Sequence, residues 1–286
     1  MNNKIIDLHE TYILGVINRR QFIKQLTILT GGTAAAFALI PLLEKRVAYA
    51  EMVPKNDPRL FTDIVQYPGS TGSINAYLAR PKEDIKRPGV LVIHENRGLN
   101  PHIEDVNRRI ALEGFLALAP DALSPLGGTP KDPDQARSMI KSLDSASTIE
   151  NFTAAVKYLK THPQSTGKVG VVGFCWGGAM TNQVAVKSSD VTAAVPYYGR
   201  QPAPEDVPKI KASLLLHYAG LDDRINAGIP AFESALKKAS VDYRMYRYEG
   251  AKHAFNNDTN AKRYHKEAAE RAWKRTISFL SEKLKE

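Results

Sequence analysis

Short apolar runs alternate with segments of helical spacing along most of the chain. Phe61–Tyr67 and Ile74–Ala79 predict two edge strands joined across the Gly69–Gly72 turn region. Val90–His94, Val-Leu-Val-Ile-His, predicts a buried strand, Ile103–Glu113 a helix and Phe115–Ala119 another short strand. Ala146–Lys160 places Phe152, Val156 and Leu159 on one helical face. Strands are then expected at Val169–Phe174, Val191–Tyr197, Ser213–Tyr218 and Tyr243–Tyr248, with helices at Ile229–Ala239 and Asn260–Leu284. Strands in alternation with helices imply right-handed βαβ units, a mostly parallel central sheet flanked by helices on both faces. Ser124–Asp134, rich in Pro and Gly, reads as a long loop of the lid or binding-loop kind. No repeat and no second domain interrupts the pattern. The expected division is a segment at 1–50, a polar linker at 51–60 with Pro54 and Pro58, and one domain at 61–286.

The first 50 residues depart from that alternation. They carry Asn-Arg-Arg-Gln-Phe-Ile-Lys at 18–24, a weakly apolar stretch from Leu26 to Leu43, then Lys45, Arg46 and Ala48-Tyr49-Ala50. A charged start, an apolar middle and an A-x-A end is the order of a bacterial export signal. The paired Arg19-Arg20 resembles a twin-arginine signal, which implies a transient encounter with the twin-arginine export machinery, cleavage after Ala50 and a periplasmic product. The competing readings are a retained membrane anchor and a helix packed on the domain. Gly31, Gly32, three threonines and Pro41 make Leu26–Leu43 a poor span, so no stable membrane association is expected.

The formal net charge of the 286-residue chain is +9. Residues 1–50 hold six basic and three acidic side chains, which leaves 33 basic and 27 acidic residues beyond them. That mild excess accommodates anionic small molecules. No basic cluster interleaved with aromatics points to nucleic acid. The chain has one cysteine, Cys175, so an intramolecular disulfide is excluded.

Residues 169–178 read Val-Gly-Val-Val-Gly-Phe-Cys-Trp-Gly-Gly. Gly173-Phe174-Cys175-Trp176-Gly177 is a G-x-nucleophile-x-G elbow with cysteine in place of serine, set between an apolar strand and a helical segment. Glycines belong there because side chains at the flanking positions collide with the neighbouring strand and helix. The helix that follows aims its N-terminus at the sulfur, which favours a thiolate and a developing oxyanion.

Such elbows take their partners in the chain order nucleophile, acid, base. The strand Leu214–Tyr218 ends in Ala219-Gly220-Leu221-Asp222-Asp223-Arg224-Ile225, which sets a carboxylate at a strand end. Asp222 is preferred over Asp223 by its D-x-x-[IV] spacing to Ile225. Next, Tyr246–Phe255 gives a strand, a small-residue loop and His253, the expected base. His9, His94, His102, His162, His217 and His265 lie outside such a slot, and His217 reads as structural. Histidine and aspartate occur without zinc-type spacing, so neither metal nor cofactor is implied.

Three motifs together resemble the dienelactone hydrolase family: Gly-Phe-Cys-Trp-Gly-Gly at 173–178, His94-Glu95-Asn96-Arg97-Gly98-Leu99 after a strand, and Gly-Ala-Lys-His-Ala-Phe at 250–255. The resemblance spans most of 60–284. It implies the α/β-hydrolase fold and cleavage of a small-molecule ester or lactone by a Cys175, His253 and Asp222 triad. It implies that Glu95 pairs with the resting thiol and assists its activation. It implies an oxyanion hole from the Trp176 amide and the Glu95–Arg97 loop, with Asn96 and Arg97 at the substrate. At the family's arginine four residues after the histidine this chain has Asn257, and Arg97, Arg200 and Arg224 are the cations of the candidate loops. The alternatives are a general carboxylesterase or thioesterase, and a silent binding protein of the same fold.

Overall fold

A computed structural model describes residues 3–13, 17–48 and 52–285. Helices α1 (Asn3–Ile13), α2 (Arg19–Thr30) and α3 (Thr33–Ala48) precede the sheet. Then follow β1 (Leu60–Gly69), β2 (Gly72–Pro81), β3 (Arg87–Ile93), α4 (Pro101–Leu112), β4 (Leu116–Pro120), α5 (Pro133–Ser142), α6 (Ser145–Thr161) and β5 (Ser165–Phe174). The chain continues with α7 (Trp176–Lys187), β6 (Val191–Tyr197), β7 (Ser213–Leu221), α8 (Asp223–Asn226), α9 (Ile229–Lys238), β8 (Tyr243–Lys252) and α10 (Lys266–Leu284).

The strands form one sheet in the order β1-β2-β4-β3-β5-β6-β7-β8. The hairpin β1–β2 runs in antiparallel register from Leu60 opposite Pro81 to Gly69 opposite Gly72, and β2 also pairs antiparallel with β4. From β4 through β8 every pairing is parallel. Parallel strands are covered on both faces, so their side chains alternate between two cores. In β3, Leu91 and Ile93 enter the core under α6, α7 and α9, while Val90 and Val92 enter the core under α4 and α10. In β7, Leu214 and Leu216 join the first core and Leu215 the second.

Four elements differ from the sequence expectation. Strand β2 is interior, because β1 continues the sheet beyond it. Helix α10 begins at Lys266 and not at Asn260, since residues 260–265 turn and the His265 side chain caps the helix. The expected loop at Ser124–Asp134 is followed by helix α5, started by an Asp132 cap and Pro133. Residues 52–60 are tied to the domain: Asp105 accepts hydrogen bonds from the backbone N–H of Met52 (3.1 Å) and Val53 (2.8 Å), and Arg108 Nε donates to the Val53 carbonyl (2.8 Å).

The N-terminal helices have their own small core of Ile5, Leu8, Phe22, Leu26 and Ala36. Among the described residues no single helix is long and apolar enough to cross a membrane; α2 and the first half of α3 would qualify together but are bent by 114°. Tyr49 and Ala50 of the expected cleavage site lie outside the described residues.

Candidate active site

The parallel strands end on one edge, and the loops leaving β3, β5, β6, β7 and β8 converge there. Ligand sites of open α/β sheets lie at that carboxyl edge. Cys175 occupies the one-residue turn between β5 and α7 with φ 56° and ψ −112°, a conformation that L residues rarely adopt. Such a turn closes only because its neighbours lack side chains. A Cβ on Gly173 would lie 2.2 Å from the Gly177 carbonyl oxygen, and one on Gly177 would lie 2.3 and 2.4 Å from the carbonyls of Ile93 and His94. The Cys175 amide donates to the Tyr197 carbonyl at 3.0 Å, and α7 begins at the next residue, Trp176.

His253, just past β8, places Nε2 3.0 Å from Cys175 Sγ and Nδ1 2.5 Å from Asp222 Oδ2. Asp222 is buried at the end of β7, while Asp223 opens α8. Burial opposes protonation of His253, but the hydrogen bonds and charges of Asp222 and Cys175 outweigh it and raise its pKa to about 9. Burial likewise opposes ionisation of Asp222, yet the His253 hydrogen bond and charge, with Arg224, hold its carboxyl below the usual range. The arrangement therefore favours a protonated His253 held by the Asp222 carboxylate.

The loop after β3 is fixed by His94. Its Nε2 accepts from the Ala122 amide at 3.2 Å, so Nδ1 carries the proton and donates to the Glu95 carbonyl at 2.6 Å. Burial pushes its pKa down, and the neutral ring stacks on Trp176 at 5.4 Å. Glu95 does not pair with the thiol in this structure. Asn257 Nδ2 donates to Glu95 Oε2 at 2.8 Å, and the amide is oriented by Thr259, whose N–H and hydroxyl both donate to Asn257 Oδ1. Glu95 Oε1 is buried without a hydrogen bond among the described residues.

Two adjoining cavities meet at the sulfur. The smaller, about 360 Å³, is lined by Cys175, His253, Asn96, Trp176, Tyr198 and the cations Arg137, Lys141 and Arg224. The larger, about 760 Å³, shares Cys175, His253, Asn96, Arg137 and Arg224 and adds Glu95 and Arg97. Six of the expected site residues thus face one or both cavities, and the seventh, Asp222, stands behind His253. Arg200 lines neither cavity, and its carbonyl accepts from Asn182. His217 is buried between Tyr248 and Thr276, with its pKa lowered to about 3 by burial, as befits a structural residue. Sequence reasoning missed Tyr198, Arg137 and Lys141. Tyr198 has φ 38° at the end of β6, its ring 5.0 Å from that of His253, and burial first, then the Glu95 and Cys175 charges, raise its phenol well above the ordinary value.

The sheet, the strained elbow and the strand-end loops define an α/β-hydrolase. Solved structures of that class superpose on the chain: a "Putative Dienelactone Hydrolase" from Klebsiella pneumoniae, 27% identical, matches 78% of this chain and 98% of its own with a TM-score of 0.70. A dienelactone hydrolase-like promiscuous phosphotriesterase from metagenomic libraries, 26% identical, matches 79% of this chain and 99% of its own with a TM-score of 0.71. Residues 74–284 match the sequence profile of the dienelactone hydrolase family, and the chain belongs to that family. A relative named "Putative carboxymethylenebutenolidase" from Saccharolobus solfataricus is 33% identical over 252 residues, 75% of this chain and 96% of the relative. The protein is a hydrolase acting on ester bonds.

Proposed function

We propose that the protein cleaves the ester or lactone bond of a small anionic substrate with Cys175 as nucleophile, His253 as acid–base and Asp222 as the group that orients and charges His253. The observation that carries this reading is the continuous Asp222 Oδ2, His253 and Cys175 Sγ chain of 2.5 and 3.0 Å contacts at the floor of a cavity. The thiolate attacks the carbonyl carbon, and the oxyanion is received by the Trp176 amide and the Glu95–Arg97 loop. Collapse breaks the carbon–oxygen bond of the alcohol, whose oxygen takes the Nε2 proton of His253. His253, now neutral, removes a proton from water, which attacks the thioester. The second collapse expels the thiolate beside the imidazolium and releases the carboxylic acid, which loses its proton to solvent. Arg137, Lys141 and Arg224 supply cationic character to the smaller cavity, and they suit a substrate that carries its own carboxylate. The test is turnover of p-nitrophenyl acetate and of carboxylated lactones by the purified protein. Cys175→Ala is expected to abolish both; full activity in that variant would overturn the assignment.

Export is proposed on the sequence of residues 1–50. The twin arginines, the apolar middle and Ala48-Tyr49-Ala50 support cleavage after Ala50 and a periplasmic product. N-terminal sequencing of the periplasmic protein is expected to begin at Glu51. An intact Met1 on soluble cytoplasmic protein, or on protein recovered from the membrane, would sink this reading.

A further inference from the structure

The same N-terminal helices carry a second role in the chain that retains them. On one side the larger cavity is lined by Cys175 and His253; on the other it is lined by His9, Tyr12, Arg19 and Phe22 of α1 and α2. These helices are built to hold a shape. Asn18 caps α2 and closes a reciprocal capping box with Gln21, and Gly31 ends the helix in the left-handed conformation. Phe22 and Leu26 are buried, and the Tyr12 ring stacks on Phe22 at 4.6 Å. Burial lowers His9 to about 4, consistent with a neutral ring sealed into this wall.

The wall is attached to the hydrolase domain by polar contacts. The Arg19 amide donates to Asp134 Oδ2 at 3.3 Å, and Lys262 Nζ donates to Thr11 Oγ1 at 2.5 Å. Its buried apolar residues share no member with the two cores of the domain. The domain's own start is held separately by Asp105 at Met52 and Val53. Apolar burial thus stabilises each unit internally, and among the described residues these two exposed hydrogen bonds join the helices to the domain, each contributing little.

We propose that α1 and α2 form one wall of the substrate cavity, so that Tyr12, Arg19 and Phe22 restrict the size of the group that reaches Cys175. This rests on the reading of Cys175 as the reacting centre. Removal of the segment turns a narrow site into an open one, and processing at export becomes a change of specificity as well as of address.

The full chain is the protein to test, because Cys175 is its only cysteine and reports access directly. The measurement is the rate of Cys175 modification by iodoacetamide and by a bulky fluorescein maleimide, alongside hydrolysis of p-nitrophenyl acetate and of a naphthyl ester. The paired variant Asp134→Ala with Lys262→Ala removes these two surface contacts, and Leu26→Asp breaks the helices' own core. In both, the ratio of bulky to small modification is expected to rise several-fold, with the naphthyl-to-acetate kcat/KM ratio rising in step. A ratio unchanged in both variants overturns the proposal, as does a falling ratio, which would make the helices a binding platform. Modification that leaves ester turnover intact would instead refute the role of Cys175, while the labelling ratio still reports the wall.

Discussion

Asn257 donates a 2.8 Å hydrogen bond to Glu95, and this contact holds the carboxylate that family resemblance assigns to the resting thiol. With Glu95 so engaged, Cys175 has His253 as its partner at 3.0 Å. An imidazole at that distance is placed to take the thiol proton.

The resting enzyme should therefore alkylate quickly. Asn257→Ala frees Glu95 to approach the sulfur, where its charge opposes the thiolate. Iodoacetamide inactivation is expected to slow in Asn257→Ala and to recover in the double variant with Glu95→Gln. Equal rates across wild type and both variants would show that Glu95 never reaches the nucleophile.

The charge state of His253 sets a pH window. Its folded pKa, raised to about 9 from 6.5, means that its protonated form stabilises the fold. That contribution is complete below about 6.5 and fades as pH rises through about 9; its size is on the order of 3 kcal/mol. Asp222, lowered, contributes above the usual carboxylate range and is lost when acid protonates it. The Tm difference between wild type and His253→Gln should shrink steadily from pH 6 to pH 10. A gap that widens with rising pH would contradict the assignment.

Arg224 lies two residues from Asp222 and faces both cavities. If it receives the substrate's carboxylate, the contact contributes roughly 1.5–3 kcal/mol. Arg224→Ala should raise KM for a carboxylated lactone by about 10- to 100-fold while leaving KM for neutral p-nitrophenyl acetate nearly unchanged. Equal losses on both substrates would mean that the arginine only shapes the Asp222 loop.

Gly177 has backbone on the far side of its Cα, with two carbonyl oxygens 2.3 and 2.4 Å from where a Cβ would stand. Gly177→Ala must push the loop after β3 away from α7. The expected cost is about 3 kcal/mol, a Tm lower by roughly 6–12 °C, with the oxyanion geometry lost as well. Retention of wild-type Tm and turnover would refute this account of the elbow.

Much of the hydrolase domain was legible because buried parallel strands read as uninterrupted apolar runs. Val90–His94, Val169–Phe174 and Val191–Tyr197 stood out for that reason, and Val191–Tyr197 matches β6 end for end. Helix α5 was not legible: only Ala136 and Ile140 of its ten residues are buried, too few for a period, and its Asp132–Pro133 start resembles a turn. The elbow declared Cys175 locally, and strand-end position singled out His253 and Asp222. The Glu95–Asn257 bond joins residues 162 apart, and no local pattern announces it. Tyr198 and Arg137 enter the site through the path of the chain, a property of tertiary structure alone.

A single thiol in a chain with no second sulfhydryl has a chemical lifetime as well as a role. Peroxide converts a reactive thiolate to sulfenic acid, which is rescued by condensing with another thiol before it oxidises further. This molecule cannot rescue itself, since Cys175 has no resolving partner along the chain. With Cys175 as the proposed nucleophile, each oxidative event would be reversed by a reductant from outside the chain or progress further, and the working span of the enzyme would be counted in encounters with oxidant.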